Sequence, residues 1–227
     1  MVYFVVIVLV LLIVFGPQYW VKIVFNKYNS KLYQMPGNGK QFSEHLLRFY
    51  EFKEVQITST PGGDFFNPVD LTLNLQTDRL DTNSLTSIVV AAHEIGHVIQ
   101  YYEKNFWFNL RQKLAKFSIS INRVSSIVIL LIPFVTLIFR SPSLSFFFFL
   151  LGFSGLIMNV FVHLVTLPVE LDASFNKALP ILIAGEYITS EQEKAAKEIL
   201  QAAAYTYISA ALANLLNIGR WFTVLRR

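Results

Sequence analysis

The sequence predicts a mainly α-helical protein with multi-pass membrane helices and a small α+β domain containing a β-hairpin or sheet. Three observations predict it. Of the 227 residues, 54% are hydrophobic and 15% charged, against the roughly half apolar and quarter charged mix of soluble domains. The apolar residues gather in long runs, Val2–Phe15, Ile127–Phe139, Phe146–Leu167 and Ile199–Ile218. Between the first two runs, strand-like and helix-like segments alternate with turn residues, as a small folded domain requires.

The first run has no basic residue before it and no small-x-small site after it, so it is expected to stay as an anchor rather than be removed as a signal peptide. About 20 residues at about 1.5 Å each cover a bilayer core of about 30 Å, and Tyr19 and Trp20 suit the interface beyond,. Twelve Lys and Arg lie between Lys22 and Arg123, whereas the connection from Arg140 to Ser145 holds one. The positive-inside bias therefore places the long segment in the cytoplasm and the amino terminus outside. The last run carries Gln201, Thr206, Ser209, Asn214 and Asn217 among many alanines. If it spans, 15 basic residues lie inside and 4 outside; if it lies against the rest of the protein, the split is 18 to 1. The charge bias favours the second arrangement and the small residues suit the first, so the fourth span stays open.

Along the cytosolic segment, Pro36, Gly37 and Gly39 open a loop. Ser43 precedes Leu46, Leu47, Tyr50 and Phe52 at helical spacing, predicting a short amphipathic helix with the serine as cap,. Strands are predicted at Val55–Thr58 and Asp70–Leu75, separated by the turn material PGGDFFNP,. Asp81, Thr82, Asn83 and Ser84 offer N-caps for a helix through SLTSIVVAAHEIGHVIQYYEK,. The expected units are an anchor over 1–25, a cytosolic segment over 40–123, a transmembrane hairpin over 124–168 and a carboxy-terminal helical region over 169–227.

The absence of cysteine removes disulfides, thiolate nucleophiles and every cysteine-based metal site. With a net charge of only +4 and no Lys/Arg block, nucleic acid is excluded as an expected partner. The chemistry sits in HEIGH, residues His93 to His97. Histidines at i and i+4 share one helix face and can bind one zinc ion, while Glu94 beside the first reaches a metal-bound water. Gly96 costs about 1 kcal/mol in a helix, a cost that makes sense if another backbone must approach there. A catalytic zinc needs a third protein ligand and an open position. Glu170 is the leading candidate, because the inferred topology returns TLPVELDAS to the side of the HEIGH helix. Asp172 is a candidate for contact with a ligand imidazole. His163, seven residues before Glu170 and deep in an apolar run, reads more readily as a buried polar histidine than as a ligand.

The anchor, AAHEIGHVIQ, the two further spans, TLPVELDAS and the late AAAYTYISAALANLL together resemble the membrane-bound neutral zinc metallopeptidase type 2 (YugP-like) family. The resemblance covers nearly the whole chain after the anchor. It implies a zincin-like, gluzincin-type peptidase domain with His93, His97 and Glu170 as zinc ligands and Glu94 as catalytic base, acting on peptide or protein substrates. One departure concerns the aspartate that related gluzincins often place four residues after the glutamate; this chain has Ser174 there, which weakens the case for Asp172. The expected location is the bilayer of a bacterial plasma membrane, as an integral multi-pass protein with its site at the cytosolic face. The strand at Asp70–Leu75 is expected to offer its edge to substrate, and Tyr101, Tyr102, Tyr205 and Tyr207 are the candidate oxyanion donors. An intramembrane protease is disfavoured because no Asp-Gly dipeptide occurs. A transporter is disfavoured because the spans carry almost no ionisable residue besides His163,. The remaining alternative is a non-catalytic zinc-binding membrane adaptor or chaperone, which would have no need of Glu94.

Overall fold

The computed structural model describes residues 19–29 and 35–205, together with positions 8, 12 and 16. The amino-terminal anchor, most of the last apolar run and Tyr207 lie largely or wholly outside these. In chain order the described elements are α1 (19–28), α2 (Gly39–Phe49), β1 (Gln56–Thr60), β2 (Phe65–Asn67), β3 (Thr72–Gln76), α3 (Thr77–Asp81), α4 (Leu85–Tyr102), α5 (Phe106–Phe139) and α6 (Pro142–Leu171). A π-helical turn (Asp172–Ala178), α7 (Leu179–Ala184) and α8 (190–205) follow. The molecule is mainly helical with one small sheet, as composition and patterning predict.

The α2 helix starts earlier than its sequence suggests. Asn38 caps it in a reciprocal box with Gln41: the Gln41 N–H donates to Asn38 Oδ1 at 2.9 Å and the Asn38 N–H to Gln41 Oε1 at 3.1 Å,. Ser43, expected as the cap, is instead buried inside the helix. The sheet also departs from expectation. PGGDFFNP, read as turn, contains β2, and the strand order is β1-β3-β2, with β1 parallel and β2 antiparallel to β3. The predicted strand at Asp70–Leu75 is therefore the central one, and its edges are both taken. Its Leu73 and Leu75 are fully buried, so its alternating pattern reports a core-facing strand rather than a free edge.

Of the four residues offered as caps, Ser84 caps α4, its Oγ accepting the Ser87 N–H at 3.1 Å. The helix is buried almost all round, from Leu85 to Gln100, because α2, the sheet, the π turn and α7 pack about it,. Fully buried Leu46, Leu73, Leu75, Leu85, Ile95 and Leu182 form this core, with Ile199 and Leu200 of α8 and Val24 of α1 closing it.

Helices α5 and α6 form a long hairpin. Both are long and apolar enough to cross a membrane, and only 11% of the most apolar window of each is buried, leaving Leu130, Phe134, Leu137, Ile138, Phe146 and Phe147 exposed. The two helices approach closely where small and amide side chains meet. Gly155 has room for no Cβ, which would lie 2.7 Å from Asn122 Oδ1 and 2.8 Å from Ser125 Oγ. Beside it, Asn122 and Asn159 exchange amide hydrogen bonds at 2.8 and 3.3 Å, the kind of polar bridge that holds helices together in lipid. The hairpin leaves the α4 region at Phe106 and returns to it at Glu170, so both of its open ends adjoin the HEIGH helix.

Candidate metal centre

The α4 helix presents His93 and His97 on one face, their rings edge to face with centroids 4.8 Å apart. The end of α6 delivers Glu170 to the same point, with Oε2 at 3.1 Å from His93 Nε2 and 3.4 Å from His97 Nε2. All three residues are buried, and one potential ligand atom from each lies within 4.8 Å of the others. Among the described residues this is the one such group of His and acidic side chains. His163, half-buried in α6, is not part of it.

The backbone around Glu170 is irregular. Pro168 lacks the N–H for one intrahelical bond,, and the helix then widens into the π turn at Asp172–Ala178, a form common at functional sites. Gln100 of α4 inserts into this ladder, donating from Nε2 to the Val169 carbonyl at 2.8 Å. Gly96 makes the close approach sterically feasible. A Cβ there would sit 2.7 Å from the Ala173 carbonyl oxygen and 3.2 Å from its Cα, and a backbone cannot swing aside as a flexible side chain does. Gly96→Ala is therefore expected to lose about 1–3 kcal/mol to overpacking, against about 1 kcal/mol gained in helix propensity. It should also weaken metal binding by displacing Glu170. Zinc titration together with thermal unfolding checks this; unaltered zinc affinity would contradict the role given to the glycine.

Hydrogen bonds set the orientation of each imidazole. The Gln100 amide nitrogen donates to Asp172 Oδ2 at 2.8 Å as well as to the Val169 carbonyl, which leaves its Oε1 as acceptor for His97 Nδ1 at 3.0 Å. An amide oxygen only accepts, so Nδ1 is the donor in this bond, and Nε2 is the ring nitrogen turned toward Glu170,. Asp172, proposed from the sequence as a direct partner of an imidazole, thus acts one step away through Gln100. Ser174 Oγ lies 3.0 Å from His93 Nδ1. The residue standing where related gluzincins place aspartate therefore touches the first histidine. Gln100, three residues after His97, is the one missed partner with a sequence signal, since i and i+3 share a helix face. Arg111 of α5 donates to Glu170 Oε1 at 3.2 Å, and in the sequence it counts only as one cytosolic charge among twelve.

Glu94 is 5% exposed, and its Oε2 has no hydrogen-bond partner among the described residues. Burial pushes its carboxyl up to about 7; the His93 and Arg111 charges and the Phe66 backbone N–H oppose the rise, and Glu170 adds to it,. The Phe66 contact sets strand β2, not β3, beside the site. A cavity of about 140 Å³ opens here, lined by His93, Glu94 and Glu170, by Asp64, and by Val21 and Phe25 of α1 with Ile199, Leu200 and Ala203 of α8. Asp64 is held by an ion pair with Arg79 and by the Gln76 N–H at 2.8 Å. Neither Tyr101, Tyr102 nor Tyr205 lines the cavity. Tyr102 instead stacks on Phe52 at 4.4 Å and Tyr205 packs on Trp20 at 5.7 Å.

Two helices long and apolar enough to cross a membrane, together with a buried His-His-Glu group that could hold a metal ion, mark a candidate membrane metalloprotein. The chain belongs to the family described as "Putative neutral zinc metallopeptidase", whose model matches residues 3–226. It is similar to the "Putative membrane protease YugP" of Bacillus subtilis (strain 168), 28% identical over 214 residues that cover 92% of this chain and 90% of that protein. No solved structure matches it.

Proposed function

We propose that the protein is a membrane-bound zinc peptidase that hydrolyses peptide bonds at the cytosolic membrane face. In this reading His93, His97 and Glu170 hold the metal and Glu94 is the general base. The observation that carries the reading is the orphaned, buried Glu94 Oε2 beside three convergent ligand atoms. Two imidazole nitrogens and one carboxylate oxygen are a donor set that suits zinc and leaves a coordination position open. When bound, zinc supplies Lewis acidity toward water and the peptide carbonyl. Glu94 accepts a proton from the attacking water and returns it to the nitrogen of the departing amine. Strand β2, whose Phe66 N–H already faces Glu94, takes the place expected of β3 in offering main-chain hydrogen bonds to an extended substrate. The cavity is smaller than the roughly 300–1,000 Å³ of ordinary ligand pockets,. A purely structural zinc site, as an adaptor or chaperone would have, has no use for a desolvated carboxylate without a partner.

The cytosolic placement rests on the twelve-to-one distribution of basic residues and on the site lying at the open end of the hairpin, away from the Arg140–Ser141 tip. Detergent-purified protein is expected to hydrolyse peptides, to lose that activity with a zinc chelator and to regain it with zinc. A reporter fused near Lys104–Lys116 is expected inside the cell, and one in the Ser141–Ser145 region outside. Chelator-insensitive hydrolysis would overturn the metal's role, and external labelling near Lys104 would overturn the orientation.

A further inference from the structure

The two oxygens of Glu170 have different surroundings. Oε2 faces both imidazoles, 3.1 Å from His93 Nε2 and 3.4 Å from His97 Nε2. Oε1 takes the Arg111 guanidinium at 3.2 Å. Glu170 is 1% exposed, and a buried carboxylate oxygen left without a partner would be costly. Arg111 arrives from α5, an element that supplies none of the three candidate ligands, and its side chain keeps 27% of its exposure. A carboxylate can bind a cation through one oxygen or both. When both bind, the second oxygen fills a coordination position that a hydrolytic zinc site needs for water and substrate.

We propose that Arg111 is a positioning residue that keeps Glu170 Oε1 occupied, so that a metal at His93 and His97 is met by Oε2 alone and its remaining position stays open. This rests on the metal-site reading above. The guanidinium suits the task because it is always charged and planar, with donors in fixed directions. Its charge also lies beside a carboxylate already close to two imidazoles and to Glu94, lowering the repulsion among acidic groups in a buried site.

Cobalt(II) is the probe, since its visible absorption is strong in four-coordinate sites and weakens and moves to shorter wavelength as ligands are added. The intact detergent-solubilised protein loaded with cobalt is expected to show the intense four-coordinate spectrum, and His93→Ala to lose it. Arg111→Met, which removes the charge and the donors but keeps an apolar stem, is expected to weaken the bands and shift them to shorter wavelength at equal cobalt content, as Oε1 turns to the metal. Should the methionine variant not fold, Arg111→Gln is read the same way, because its shorter neutral amide cannot hold Oε1 as the guanidinium does. A merely structural role for Arg111 would lower cobalt content while leaving the spectrum of the loaded fraction unchanged, and that result overturns the inference. Absence of any histidine-dependent cobalt spectrum in the unaltered protein overturns the metal-site reading along with it.

Discussion

Glu94→Gln is expected to leave zinc content unchanged and to reduce peptide hydrolysis by on the order of 10²- to 10⁴-fold, the contribution of a positioned general base. The amide fills the same volume in a site where Glu94 is 5% exposed, so the packing of α4 beside β2 is kept. What it loses is the ability to accept a proton at the oxygen that now has no partner. The amide would also stay neutral where the carboxyl is pushed up to about 7 by burial, so the fold has no electrostatic reason to suffer. Zinc analysis and hydrolysis rates on the same preparation check the prediction. Turnover comparable to the unaltered protein would remove Glu94 from the mechanism.

Alanine at His93, His97 or Glu170 is expected to remove most bound zinc, because each takes away one of three protein bonds. The loss at Glu170 has a second component: Arg111, now facing an empty space, becomes a partly buried cation without its carboxylate,. Asp172→Ala should be milder, about 10- to 100-fold in affinity or activity, because it acts on His97 only through the Gln100 amide. His163→Ala should leave zinc content intact, as that residue lies outside the cluster. Zinc titration into the stripped variants ranks them. Retention of zinc in Glu170→Ala with loss in His163→Ala would move the third ligand and leave only the HEIGH half of the site standing.

Features that depend on local spacing are legible in the amino-acid order. HEIGH within an unbroken helix-compatible stretch placed two imidazoles and a carboxylate on α4, because the 3.6-residue period dictates which side chains share a face. Ser84 as cap and the hairpin helices follow from equally local rules of capping and apolar length. The demand for a small residue at position 96 was also legible, though not its partner. The sheet was misread at two places for a physical reason. Strand β2 is three residues long amid Gly, Asp and Pro, so it pairs because β3 offers a partner and not because of its own propensity. Whether β3 is central or at an edge is a property of the assembled sheet.

How the distant pieces meet is set by the packing of the folded chain. Glu170 follows His93 by more than seventy residues, and its arrival depends on the α5–α6 hairpin returning it, with the π turn packed on α4 just beyond it. The same closure sets Ser174 on His93, places Asp172 behind Gln100, and brings Arg111 to the second oxygen of Glu170. No local pattern encodes these contacts. Each is an interaction between elements whose relative position is set by burial of α4 on all its faces, and a residue such as Arg111 shows its role only once the carboxylate it faces has been carried there.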